Sequence, residues 1–282
     1  MASKPLGNLR TTGKEQFYTP KGVAMSIFAT VSSLIPHFQE LPFLEPAGGT
    51  GTIIEAALQC GISSVISFDI EPLHPAVRQG DFLEQQLSIT NALTVSNPPF
   101  GRNNALAIPF FNHAAKFSEY IVLIVPRSWR KWSVQNRLDP HFHLIQDDDL
   151  TTNYVNRFGE DEHAKNRLRT CVQYWKRAEV LRPIIHVRDM GIISRCSPAE
   201  ADASMTIFGY GCGTLKLDFE PVKNTTQMFI KFGHPRAQEA IENSDFSRFY
   251  LNTAYTEALS MAEINYVLNT YIFGDPYIVE SY

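Results

Sequence analysis

The sequence predicts an α/β fold with a mostly parallel sheet covered on both faces, followed by a small α+β appendage. Three observations predict it. Short apolar runs without polar alternation, such as Tyr120 to Val125, are separated by helical stretches, as expected of strands buried on both sides. Two of these runs end in turns of small residues or prolines, Glu45 to Gly51 and Asn97 to Gly101. Beyond about Arg182 the pattern changes to short strand-like runs joined by Gly-rich turns.

In chain order, residues 1–16 are polar and read as a flexible arm. Thr19 and Pro20 read as N-cap and first residue of a helix to about Ile35, with Val23, Ile27, Val31 and Leu34 at helical spacing. Strands are expected at Pro42 to Glu45, Ser64 to Asp69, Leu93 to Ser96 and Tyr120 to Val125, with helices over Thr52 to Gln59 and Ala105 to Phe117. His141 to Gln146 and Thr170 to Trp175 suit an antiparallel edge pair, and Asp147 to Arg169 a long exposed loop. Met205 to Tyr210, Thr214 to Phe219 and Gln227 to Phe232 read as strands of the appendage; two helices follow, the last opened by a capping box of Ser260 and Glu263. The expected domains are the arm at 1–16, a catalytic domain at 17–180 and a small appendage at 181–282 suited to substrate recognition.

The chain has 282 residues, 44% hydrophobic and 19% charged, an ordinary globular composition. No apolar run is long enough for a membrane span, and Met1 to Lys14 lacks the apolar stretch of a signal peptide. A cytoplasmic protein is expected, or a nuclear one in a eukaryote. Four cysteines, Cys60, Cys171, Cys196 and Cys212, lack metal-ligand spacing and read as scattered thiols. The net charge of −4 argues against bulk polyanion binding, so a nucleic-acid role requires a local basic patch.

The sharpest chemical signal is Asn97-Pro98-Pro99-Phe100, directly after an apolar strand. Ligands of open parallel sheets bind beyond the carboxyl ends of the strands. An aromatic exocyclic amine is a poor nucleophile because its lone pair is delocalised into the ring. Two acceptors that take its N–H hydrogens favour a tetrahedral nitrogen and free that lone pair for an electrophilic methyl group. The Asn97 side-chain oxygen and the Pro98 carbonyl suit the two roles, and Pro98 and Pro99 fix the backbone that aims them. Phe100 offers a face for a flat ring.

Upstream residues fit the same site. Glu45 to Gly51 follows a strand and opens a helix, and its small residues allow close backbone approach. Glu45 can accept from an ammonium group. Asp69 or Glu71, at the next strand end, suits a ribose diol; Asp69 is favoured, with Ile70 against an adenine face. Asp81 can accept from an adenine amino group.

These motifs together resemble the amino-methyltransferases of restriction–modification systems, in particular the adenine-N6 enzymes whose cofactor motifs precede the catalytic one. Gln16-Phe17-Tyr18-Thr19-Pro20 resembles their N-terminal cofactor motif, Glu45 to Gly51 with Ala47, Gly48 and Gly49 their Gly-rich loop, Asp69 and Asp81-Phe82 their ribose and adenine contacts, and Asn97 to Phe100 their catalytic tetrapeptide. The resemblance covers about residues 15–130. It implies a Rossmann-like fold, S-adenosylmethionine as cofactor, Thr19 and Pro20 near its methionine part, and DNA favoured over RNA as substrate. The chain departs from many members in having only the short segment 182–282 for target recognition.

Arg127, Trp129, Arg130 and Lys131, with Trp132, interleave cations and tryptophans and suit phosphate contact and base stacking. Lys165, Arg167 and Arg169 suit further phosphate contacts or a solvated face. His141 and His143 share one strand face, but no third metal ligand accompanies them; no metal is expected. Asp147-Asp148-Asp149 reads as a solvated turn. Alternative readings are an RNA base methyltransferase acting on an adenine or guanine amine, a protein-glutamine methyltransferase, and the non-catalytic binding subunit of a two-chain methyltransferase. A dehydrogenase reading of the Gly-rich turn leaves Asn97 to Phe100 without a role.

Overall fold

The computed structural model describes residues 17–160, 168–222 and 225–282; the expected N-terminal arm, and Lys165 and Arg167, lie outside them. The chain divides into two compact units. The first holds the described residues up to Pro126 together with Arg137–Arg182, and the second holds Arg127–Asn136 and Pro183–Tyr282.

The first unit begins with helix α1 (Lys21–Leu34), one residue later than the sequence suggests. Pro20, not Thr19, is the N-cap: it is extended, and its carbonyl accepts from Val23 and Ala24 at 3.0 and 3.1 Å. The first unit then alternates β1 (Phe43–Glu45), α2 (Thr52–Gln59), β2 (Val65–Asp69), β3 (Arg78–Gln79), β4 (Ala92–Ser96), α3 (Ala107–Ala114) and β5 (Ser118–Pro126), and closes with β6 (Phe142–Leu150) and β7 (Thr170–Arg177). Their order in the sheet is β3-β2-β1-β4-β5-β7-β6. The β3-β2-β1-β4-β5 pairings are parallel, and β7 is antiparallel to both β5 and β6. The order reverses between β1 and β4, so a crevice opens beyond their carboxyl ends. The core beneath it includes Ile27, Phe28 and Val31 of α1, Phe43 of β1, and Leu93 and Val95 of β4. Each such fully buried side chain contributes about 1.5–3 kcal/mol of transfer free energy.

One expectation fails at the sheet edge. Asp147, Asp148 and Asp149 form no solvated turn: β6 continues through them to Leu150, pairing with Gln173, Val172 and Cys171. Amides make this possible. Gln173 Nε2 donates to Asp147 and Gln146 Nε2 to Asp148, both at 2.7 Å. The register shifts between Leu144 and Gln146, as at a β-bulge.

The second unit contains α4 (Trp132–Gln135), β8 (Ile184–Val187), β9 (Ile193–Arg195), β10 (Ala203–Thr206), β11 (Leu215–Lys216), β12 (Gln227–Phe232), α5 (Ala237–Glu242), α6 (Ser247–Tyr250), α7 (Met261–Phe273) and β13 (Ile278–Ser281). Four of its strands form an antiparallel sheet in the order β11-β10-β12-β9, and β13 pairs with β8. Ser260 caps α7, and Glu263 completes the capping box. No helix among the described residues is long and apolar enough to cross a membrane. All four cysteines are free.

Candidate active site

A cavity of about 250 Å³ lies at the carboxyl ends of β1, β2 and β4. On one side it is bounded by the turn after β1. Gly48 donates to the Phe68 carbonyl at 2.9 Å. A Cβ there would collide with Ser67 Oγ and sit 2.7 Å from Val77 Cγ2, so only glycine lets the turn lie this close to β2. Asp69 pins the turn from β2: Gly49 N donates to Oδ2 and Glu71 N to Oδ1, each at 2.8 Å. Both oxygens keep acceptor capacity toward the cavity, which Asp69 lines together with the exposed Ile70. Asp81 also lines it, with Oδ1 accepting from Leu83 N at 2.9 Å.

Glu45 ends β1 and is fully buried. Oε1 accepts from Ser96 Oγ at 2.6 Å and Ala47 N at 3.0 Å, whereas Oε2 is buried with no partner. Burial pushes its carboxyl up to about 8, against the two hydrogen bonds, with Asp69 adding a small push in the same direction.

Asn97 follows β4 and lines the cavity. Its Nδ2 donates to the Phe17 carbonyl at 2.7 Å and to Thr19 Oγ1 at 3.1 Å. Its Oδ1 is buried and has no partner. Leaving an acceptor unsatisfied costs about 1–3 kcal/mol, so this is a place where a donor from a ligand is rewarded.

Of the residues singled out from sequence, Tyr18, Thr19, Ala47, Gly48, Gly49, Asp69, Ile70, Asp81, Phe82, Asn97, Pro98 and Pro99 all line this one cavity. Pro20, Glu45 and Phe100 stand outside its lining. Phe100 is 5% exposed and stacks on Phe17, with ring centroids 5.9 Å apart and planes at 21°. In this arrangement Phe17, not Phe100, faces the cavity, because Phe17 lies on the Phe100 ring. Phe17, Leu83, Leu106 and Phe110 also line the cavity, and of these only Phe17 stands in a sequence motif. Leu106 and Phe110 gave a signal only in retrospect: they sit four apart at the start of α3, and Leu106 is 44% exposed where a core position would be buried.

The basic tryptophan segment departs from its expected role at Trp129 and Lys131. Trp129 is fully buried and offers no face to a base. Lys131 Nζ donates to both Glu263 oxygens, at 2.8 and 2.9 Å, and to the Ala258 carbonyl at 3.2 Å, which uses all three hydrogens. Arg127 and Arg130 are engaged too. Trp132 packs on Phe249 and Tyr266. The segment belongs to the second unit. His141 and His143 bond Asp139 and the Val180 carbonyl.

No protein-family model and no curated protein matches the sequence. Solved structures superpose on part of it. A protein from Pyrococcus horikoshii, provisionally named an RNA methyltransferase, superposes with a TM-score of 0.47 at 18% identity, over 62% of this chain and 92% of that one. A protein from Listeria monocytogenes, provisionally named a class I S-adenosylmethionine-dependent methyltransferase, gives 0.44 at 14% identity, over 59% and 63%. The M protein of the type I restriction enzyme EcoKI gives 0.43 at 16% identity, over 58% of this chain and 44% of that one. At this distance a common chain path does not carry chemistry with it; what this site can do rests on its own residues.

Proposed function

We propose that this chain is an S-adenosylmethionine-dependent methyltransferase acting on an exocyclic amine of a nucleic-acid base, with N6 of adenine in DNA the favoured target. The observation that supports it most is the buried, unpartnered Oδ1 of Asn97, a residue that lines the cavity. The rest of the cavity suits the cofactor. Asp69 has spare acceptor capacity for ribose hydroxyls, Ile70 offers an apolar face, and Asp81 an acceptor for an adenine amine. Glu45 stands outside the lining, and its orphaned Oε2 would, once ionised, compensate the charge of an ammonium group close by. When bound, S-adenosylmethionine supplies an electrophilic methyl group on a sulfonium.

The chain's own residues then prepare the nucleophile. Asn97 Oδ1 accepts one N–H of the base amine and the Pro98 carbonyl the other. Held in this way, the nitrogen would turn tetrahedral and present its lone pair; transfer from a bound cofactor would then form an N–C bond as the S–C bond broke, and the surplus amine proton would leave to solvent. Asn97 is thus a group whose bond strengthens toward the transition state, where catalysis is won. In a duplex the amine is paired and stacked, so the base must be unpaired or swung out. Phe17 with Phe100 behind it is then the aromatic pair placed to receive the ring.

A second reading, in which a partner subunit carries most phosphate contacts, is favoured by the net charge of −4 and by the engagement of Lys131 with Glu263. Transfer of tritiated methyl groups to DNA, RNA and protein panels, followed by nucleoside mass spectrometry, tests the proposal. N6-methyladenine in DNA is the expected product. Label in RNA moves the substrate, label only in protein overturns the nucleic-acid reading, and no label without a partner chain supports the second.

A further inference from the structure

The cavity depends on which way one amide faces. The two ends of an asparagine side chain have nearly the same shape, yet only the oxygen can accept from an amine. If the group turned over, Nδ2 would meet the base amine donor to donor. The strand end alone does not decide the matter. The partners on the far side do: the group 2.7 Å from Asn97 is the Phe17 carbonyl, which can only accept, so the atom facing it must be the N–H end. The second hydrogen of that end meets Thr19 Oγ1 at 3.1 Å.

Both partners are themselves held. Tyr18, between them, exchanges two backbone hydrogen bonds with Val155, each 3.1 Å. Phe17 packs on Phe100 and meets Tyr154 edge-on at 5.6 Å. Thr19 is only 5% exposed, so water does not readily replace its hydroxyl. Its displacement from the N-cap position therefore has a purpose: the hydroxyl that would cap α1 serves Asn97 instead.

We infer that Thr19, together with the Phe17 carbonyl, is a positioning residue that fixes the Asn97 amide with its oxygen toward the substrate amine. The inference rests on the catalytic reading of Asn97 above. It also explains why an amide suits this position better than a carboxylate: a carboxylate would set an oxygen against the Phe17 carbonyl.

Two measurements test it. Thr19→Val keeps the shape and removes the acceptor; Thr19→Ser keeps the acceptor. In Thr19→Val, kcat is expected to fall about tenfold, the worth of one buried hydrogen bond, while Thr19→Ser stays near wild type. In an Asn97→Ala background, where the Thr19 hydroxyl has no side-chain amide to hold, Thr19→Val is expected to change the residual kcat by less than about twofold. Equal losses in both backgrounds, or a wild-type kcat for Thr19→Val, overturn the inference. Hydrogen exchange of the Asn97 side-chain amide, followed by NMR in the protein without substrate, needs no activity. Exchange should quicken in Thr19→Val by about tenfold and stay slow in Thr19→Ser; unchanged exchange in Thr19→Val overturns the inference even if the methylation reading itself fails.

Discussion

Neighbouring strands of the sheet run into two segments with opposite fates. β4 leads to Asn97, whose amide is held on one side and left with an unpartnered oxygen on the other. β5 leads to Arg127 to Lys131, where the tryptophan is buried and the lysine has all its hydrogens occupied. The difference lies in reach and freedom. Asn97 is short, follows a strand and precedes two prolines, so its oxygen cannot search for another partner. Lys131 has a long flexible stem and finds a buried carboxylate. Here the candidate site is marked by an unsatisfied polar atom on a cavity-lining residue rather than by the cluster of charges.

Removing the unsatisfied atom should have the largest effect. Asn97→Ala is expected to lower kcat by roughly 10²–10³-fold with little change in cofactor affinity, which isothermal calorimetry and single-turnover kinetics would separate. A near-normal kcat would place the two segments on the same footing. On the other side of the comparison, Lys131→Ala leaves Glu263 buried without its cation. It should cost about 3 kcal/mol of stability by denaturant unfolding, while the salt dependence of DNA binding stays unchanged. A salt slope smaller by about one would mean that Lys131 meets phosphate after all.

Asp69→Ala should weaken S-adenosylmethionine binding by about 1–3 kcal/mol, partly through the loosened turn at Gly49. Unchanged affinity in a folded variant removes Asp69 from the cofactor site. The subtlest effect belongs to Glu45, whose carboxyl burial pushes up to about 8. The folded state then holds a proton that the unfolded chain releases near 4.5. The stability from holding it is complete below that value and is lost as pH rises toward and through 8. Glu45→Gln should flatten this decline in unfolding titrations. An ammonium nearby favours the carboxylate, so cofactor binding near pH 7 should release up to about one proton. Calorimetry in buffers of different ionisation enthalpy would show it in wild type and not in Glu45→Gln.

Much of the first unit was legible because its inner strands β1, β4 and β5 are mostly apolar and its turns carry glycine and proline where the backbone must bend. Helix α2 runs over Thr52–Gln59 as expected, and β12 over Gln227–Phe232. The cavity side chains at the strand ends were legible for the same reason: strand ends fix position. What was not legible depended on contacts distant in sequence. Thr19 looks like a helix cap until Asn97, far along the chain, takes its hydroxyl. Lys131 looks like a phosphate ligand until Glu263 is folded against it. The aspartates of β6 look like a turn until the amides of Gln146 and Gln173 meet them.

The division into units also bears on how this protein can be taken apart. The chain passes from one unit to the other at residues 126 to 127, 136 to 137 and 182 to 183. A gene cut at the last passage would still encode Lys131 and Trp132 but not Glu263, Phe249 or Tyr266, their partners. The fragment would carry a charge and an aromatic ring meant for a core it lacks. Its two halves are therefore poor candidates for separate inheritance, and a fragment ending at Arg182 should be insoluble or quickly degraded where the full chain is not.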